Sequence, residues 1–139
     1  MHQREGLLLL VDGEVPRAES LARRLAHMGY RVQVADNGAT GLLRVHELRP
    51  EVVVAAADLP ILDGYLMLEA LRKDPRTCHT QVILITEDAG QEELARGWKA
   101  GADLCVPRND GEATLLTVLN RTFGSTCHRE SAHEYSLVS

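Results

Sequence analysis

Polar residues directly follow several apolar runs of the sequence, at the positions where short strands would end. They are Asp12, Asp58, Thr86 and Arg108. Carboxylate and hydroxyl oxygens suit a hard cation such as Mg²⁺, and a guanidinium suits the oxygens of an anion. The sequence contains neither a nucleophile–base set nor a Gly-rich phosphate loop with Lys. We therefore expect a binding or signalling protein rather than an enzyme.

The cysteines offer little further chemistry. Cys78, Cys105 and Cys127 are odd in number and widely spaced, which argues against a disulfide framework and favours reduced thiols. We interpret Cys105 as a small core hydrophobe rather than a redox centre. Cys127 and His128, with His133, lack the second ligand pair that a zinc site needs. We expect no metal there.

The elements that must position the strand-end residues are five apolar runs alternating with stretches of helical periodicity. Strands are predicted at 7–11, around Val32 and Val34, at 51–56, at 82–86 and at 104–106, and helices from Pro16 to Met28, at 39–48, 65–73, 91–100 and 112–123. Strict alternation predicts an α/β fold with a parallel sheet, right-handed crossovers and helices on both faces. In such folds the site lies outside the carboxyl ends of the strands.

Length and composition restrict the class of protein. The 139 residues, 45% hydrophobic, suit one globular domain, which we place at 1–124 with a polar tail or linker at 125–139. The net charge of -5 argues against direct contact with nucleic acid. The first apolar run is too short for a membrane span or a signal peptide, so we expect a cytoplasmic protein without a membrane partner.

Segments at all five strand ends resemble the receiver domain of two-component response regulators. The segments are LLLLVDGE, GYRVQVADNGATGL, RPEVVVAAADLPILDG, VILITED and KAGADLCVPRND, and the resemblance covers about residues 6–124. It implies a flavodoxin-like doubly wound (βα)5 fold with strand order 2-1-3-4-5. It also implies phosphoryl transfer from a histidine kinase to an aspartate at the end of the third strand, assisted by Mg²⁺.

Carried over residue by residue, the resemblance predicts a vestigial phosphorylation pocket. Its members are Asp12, Gly13, Ala56, Asp58, Thr86 and Arg108. The family's acceptor stands four positions before the loop proline, so Pro60 places it at Ala56. Gly13 replaces the second acid, Arg108 replaces the lysine, and Cys105 stands where the family has its aromatic switch residue. We therefore expect a degenerate pseudo-receiver with no cofactor and no tight Mg²⁺ site.

The remaining charged groups of the pocket carry three expectations. Asp12, without its acidic neighbours, is expected to pair with Arg108 across the pocket. Asp58, two residues beyond the acceptor position, is interpreted as a solvated or capping loop acid. Glu14 is interpreted in the same way, at the start of the first helix.

The predicted function is phosphorylation-independent recognition of a protein partner or effector domain through the fourth helix, fifth strand and fifth helix. This surface comprises Trp98, Lys99, Leu104, Cys105, Asn120 and Arg121. A residue such as Trp98 more often packs over the fifth strand than serves as an exposed anchor. A histidine kinase and a second copy of the chain are further candidate partners.

Two alternatives stay open. A phospho-receiver could use Asp58 as a displaced acceptor. A small-molecule-sensing module could use the emptied pocket, which would require a cavity lined by Gly13, Ala56 and Thr86. A pocket filled by Arg108 would count against the second alternative.

Overall fold

The fold is built from five βα units. A computed structural model describes residues 7–87, 90–108 and 111–121 of the chain. The strands are β1 (Leu7–Val11), β2 (Arg31–Ala35), β3 (Val52–Ala56), β4 (Gln81–Thr86) and β5 (Leu104–Pro107). The helices are α1 (Val15–His27), α2 (Gly38–Leu48), α3 (Gly64–Lys73), α4 (Gln91–Ala100) and α5 (Glu112–Leu119).

The strands form one parallel sheet in the order β2-β1-β3-β4-β5. The predicted fold class is confirmed, including the strand order. β3 is buried along its whole length, as its unbroken apolar run predicts for a central strand covered on both faces. β2 lies at the edge, and the alternation around Val32 and Val34 is consistent with that position.

Two apolar layers form because successive strand residues point to opposite faces of the sheet. Leu8 and Leu10 of β1 face a cluster that contains the buried leucines of α1 and α5. Leu9 and Val11 face the other cluster, in which Met67, Leu68 and Leu71 of α3 are completely buried. A chain of 139 residues thus buries apolar surface on both sides of a single sheet.

The element boundaries differ from the predicted ones by a residue at several ends, because caps and the sheet register set them. Asn37 and Asp63 each accept a backbone N–H with their side chains, so α2 and α3 begin at the following glycine. α5 ends at Leu119, with Asn120 and Arg121 in the next turn. Phe123, the 124/125 boundary and the tail lie outside the described residues.

None of the helices in these three described ranges has the length and apolar character needed to cross a membrane.

Candidate functional site

The carboxyl ends of β1, β3, β4 and β5 meet at one edge of the sheet. Val11 is in register with Ala55, Ala56 with Ile85, and Thr86 with Pro107. The residues that follow these strands therefore share one edge, as the alternating pattern predicts. Asp12 and Thr86 are almost completely buried there, at 2% and 0% exposure.

Asp12 pairs with Arg17, and the expected pair with Arg108 is wrong. The Arg17 Nε atom donates to Asp12 Oδ2 at 2.9 Å, and Arg17 Nη2 donates to Oδ1 at 2.8 Å. The Glu14 amide also donates to Oδ1, at 3.0 Å. Arg17 has the advantage of proximity, since it lies in the first turn of α1, directly after Pro16. The parallel two-bond geometry suits a planar guanidinium against a carboxylate.

These contacts shift the ionisation of both partners. Burial works to raise the pKa of Asp12, but the hydrogen bonds from Arg17 and the Glu14 amide, together with nearby positive charges, outweigh it and leave the pKa below its ordinary value. The positive charges of Arg17 and Arg108 act in the same direction. The hydrogen bonds to Asp12 raise the pKa of Arg17. The pair is therefore ionised throughout the neutral range.

Arg108 lies at the end of β5 and is directed elsewhere. Its Nε atom is 3.5 Å from Glu87 Oε2, an ion-pair distance. Within the described part of the chain, the buried Nε and Nη2 atoms of Arg108 have no hydrogen-bond partner. Its side chain lines a cleft between α1 and α5 that Leu21 and Leu115 also line. Arg108 acts on Asp12 through charge alone.

Ala56 is the last residue of β3 and is 1% exposed. The backbone around it is tightly packed, because a Cβ atom on Gly64 would lie 2.3 Å from the Ala56 carbonyl oxygen. Gly13 is exposed, but it has little room for a side chain, because a Cβ atom there would lie 2.9 Å from Pro60 Cδ. The strand end therefore presents packed backbone and small side chains at the positions of these residues.

Asp58 lies outside this packed end, on an open cleft. The cleft is also lined by Gly13, Glu14, Arg17, Leu59, Pro60 and Glu87. Asp58 is exposed there, which agrees with its interpretation as a solvated loop acid. The Glu14 carboxylate makes no capping hydrogen bond, and instead pairs with Arg17 Nη1 at 3.0 Å. In the described ranges, no group of three His, Cys, Asp or Glu residues is placed to hold a metal ion.

The surface formed by α4, β5 and α5 contains the six residues predicted for partner recognition. Trp98 is 50% exposed, so the indole is half available. Lys99, Asn120 and Arg121 are exposed as well. Leu104 is half-buried and packs against the core cluster beneath α5. The accessible part of this surface is consequently mixed polar and aromatic.

Cys105, the sixth of these residues, packs inward. A Cβ atom on Gly97 would lie 2.5 Å from the Cys105 Sγ atom, so α4 packs directly against this side chain. Burial raises the pKa of the thiol, which keeps it protonated and unreactive at neutral pH. The geometry agrees with a small core residue rather than a redox centre.

Sequence reasoning missed Arg17 and Arg72. An arginine in the first turn of a helix opposes the helix dipole, and that anomaly is the signal that could have identified Arg17. Arg72, in the last turn of α3, donates to the carbonyl oxygens of Cys78, Thr80 and Gly101 and to Asp103 Oδ2. A basic residue at a helix end is unremarkable in sequence, so this role had no signal.

Comparisons with a family profile and with known proteins agree on one family. The profile of the response regulator receiver domain matches residues 8–120. A probable transcriptional regulator, ycf27 of Guillardia theta, is 32% identical over 119 residues, which cover 83% of this chain and 46% of that protein. Protein PilH of Pseudomonas aeruginosa is 28% identical over 113 residues, which cover 81% of this chain and 93% of PilH. The chain thus spans less than half of the first of these relatives.

The solved structures agree with this comparison at the level of the fold. The chemotaxis response regulator CheY4 of Vibrio cholerae superimposes with a TM-score of 0.78 at 23% identity, covering 84% of this chain and 98% of CheY4. The sheet order, the shared edge of strand ends and the family profile over residues 8–120 lead to one assignment. The chain belongs to the response regulator receiver domains of two-component signalling systems.

Proposed function

We propose that this receiver domain acts as a pseudo-receiver, which recognises a protein partner without being phosphorylated at the end of β3. The observation that supports the proposal is Ala56, the residue four positions before Pro60. Its methyl group is buried in a core cluster and carries no oxygen that could accept a phosphoryl group. Thr86, which follows the register partner of Ala56 in β4, is completely buried.

The Mg²⁺ ion that the family implies does not fit the donor set found here. Both carboxylate oxygens of Asp12 already accept hydrogen bonds from Arg17. Gly13 contributes no carboxylate, and a side chain there would have to displace the Pro60 ring. Mg²⁺ binds through one or two carboxylates plus phosphate oxygens in octahedral geometry. We therefore propose that the domain needs no metal ion.

The proposed interaction surface is formed by α4, β5 and α5, with the half-exposed Trp98 as its anchor. Aromatic side chains that are partly exposed on a rigid helix bury large areas at protein interfaces. The proposed partner is an effector domain or a histidine kinase in the cytoplasm, and a second copy of the chain is a further candidate. Because the chain spans only part of the transcriptional regulator that it resembles, an effector domain is a reasonable first partner to test.

A phosphodonor assay tests the proposal. The protein is incubated with acetyl phosphate and MgCl2, and its intact mass is recorded beside that of a receiver with a complete acid set. We expect no added phosphoryl group. An adduct that disappears in Asp58→Asn would favour the second candidate function, a displaced acceptor, which the exposure of Asp58 on the open cleft permits. An adduct that persists in that variant would contradict both.

The interaction surface is tested by charge reversal. Lys99→Glu changes an exposed position in the last turn of α4, and Lys73→Glu is a matched control at an exposed position in the last turn of α3. With a candidate kinase or effector domain as the titrant, we expect Lys99→Glu to weaken binding by about tenfold, which corresponds to about 1.4 kcal/mol. Equal effects of both variants would indicate a different surface.

The emptied pocket does not meet the condition for a small-molecule site. The cleft that Gly13 lines has neither Ala56 nor Thr86 in its walls, because both are buried. Arg108 does not line this cleft either; its side chain lines the cleft between α1 and α5, and its Nε atom lies 3.5 Å from Glu87, which lines the Gly13 cleft. Within the described residues, this cleft therefore does not favour the small-molecule alternative.

A further inference from the structure

Arg17 is placed where it satisfies a carboxylate that the fold buries. Asp12 follows β1 directly, and its side chain is 3% exposed. The Arg17 side chain is one-third exposed, at 33%, so it reaches in from the surface. One guanidinium contacts both Asp12 oxygens and, through Nη1, the Glu14 carboxylate at 3.0 Å.

Removing a carboxylate from water is costly unless an opposite charge and hydrogen bonds replace the lost hydration. Around Asp12 the replacement comes from Arg17 and from the Glu14 amide. Arg108 adds a favourable charge without a hydrogen bond to Asp12. Arg17 is thus the cationic group that stabilises the buried Asp12 carboxylate.

We infer that Arg17 serves as a resident cation: its guanidinium stabilises Asp12 in the way a bound dication would in a metal-dependent receiver. The inference rests on the proposed metal-free function and goes beyond it, because it names the group that replaces the metal. It also predicts that the folded state of this domain is insensitive to divalent cations. A metal ion could reach Asp12 only by displacing Arg17, with neither Gly13 nor Ala56 to offer a further ligand.

The local sequence explains how the guanidinium is held in place. Pro16 lies in the first turn of α1 and fixes the start of the helix. The Glu14 amide donates to Asp12 Oδ1, which ties the carboxylate to the same turn. Arg17 follows within that turn and is therefore directed back to Asp12 by the helix itself. The cation and its carboxylate are positioned together, by one short segment.

Thermal unfolding of two arginine variants tests the inference. Arg17→Ala is compared with Arg24→Ala, a control on the same helix whose side chain is 60% exposed and lies 3.4 Å from Glu112. We expect Arg17→Ala to lower the Tm by about 10 °C or more, because it leaves a buried charge unpaired. Arg24→Ala should change the Tm by no more than about 2 °C. Equal losses would overturn the inference.

Divalent cations supply the decisive comparison. Each protein is melted in millimolar MgCl2 and in NaCl of the same ionic strength. We expect MgCl2 to raise the Tm of Arg17→Ala above its value in NaCl, because the loss of Arg17 frees the Asp12 and Glu14 carboxylates that it contacts, and to leave the wild type unchanged. The same Mg²⁺ response in both proteins, or none in the variant, would overturn the role of Arg17. Neither of those melting results bears on whether the domain accepts a phosphoryl group. The phosphodonor assay tests that separately, so this inference can fail while the proposed function holds.

A double variant keeps the test valid if Arg17→Ala does not fold. Asp12→Asn combined with Arg17→Ala removes the buried charge together with its partner. We expect this protein to fold, to melt above Arg17→Ala and to show no Mg²⁺ response. A double variant that melts below Arg17→Ala, or that also fails to fold, would show that Arg17 has a packing role unrelated to the charge of Asp12.

Discussion

Replacing Arg72 should destabilise the domain far more than its position at a helix end suggests. Its guanidinium donates to the carbonyl oxygens of Gly101 at 2.9 Å, Cys78 at 3.0 Å and Thr80 at 2.7 Å, and to Asp103 Oδ2 at 3.0 Å. These contacts join the end of α3 to the segment before β4 and to the turn between α4 and β5. That turn connects the helix of Trp98 to the strand of Leu104.

The expected cost follows from these four contacts. A hydrogen bond contributes about 0.5–1.5 kcal/mol net, and the Arg72 side chain is only 20% exposed, so water replaces the lost donors poorly. The Asp103 contact is discounted, since that side chain is 42% exposed. Arg72→Ala should therefore lower the free energy of unfolding by about 2–4 kcal/mol. In urea, with a slope near 2 kcal/mol per molar, the midpoint falls by about 1–2 M.

Arg76→Ala is the matched control for this measurement. Arg76 lies in the same region, and its side chain, 67% exposed, bonds only to Asp74 among the described residues. Unfolding followed by the fluorescence of Trp98, the single tryptophan, should show a change within about 0.5 kcal/mol for this control. A loss below about 1 kcal/mol for Arg72→Ala, or a loss equal to the control, would refute the reasoning.

Two further predictions concern the backbone and the pH response. Ile61 has a φ of 70°, in the left-handed region, and it is 81% exposed. Because asparagine adopts this conformation with less strain, Ile61→Asn should raise the free energy of unfolding by about 1 kcal/mol in a urea titration. A lower free energy of unfolding would contradict the strain argument. The pKa of Asp12 is lower in the folded than in the unfolded chain, so its contribution to stability is present above about pH 4 and is lost as the pH falls through the folded pKa. The Tm difference between wild type and Asp12→Asn should accordingly be constant near neutrality and shrink in acid, whereas a difference that grows in acid would reverse the assigned sign.

Much of the fold could be predicted because its signals are local. The unbroken run 52–54 predicts a strand covered on both faces, and the alternation at Val32 and Val34 is consistent with an edge strand. Both outcomes depend on residues close together in the chain. Pro16 and the glycine that ends α4 likewise mark helix boundaries through their own backbone preferences.

The sequence by itself determined which chemical groups stand at the strand ends, because strand ends are marked by the runs that precede them. Only the tertiary structure decided how those groups pair. Asp12 bonds to Arg17, five residues away, while Arg108 lies 3.5 Å from Glu87 and makes no hydrogen bond to Asp12. The choice depends on the direction in which α1 leaves the sheet and on which guanidinium reaches both carboxylate oxygens. Spacing along the chain only partly constrains the direction of α1, and it does not determine which guanidinium reaches Asp12.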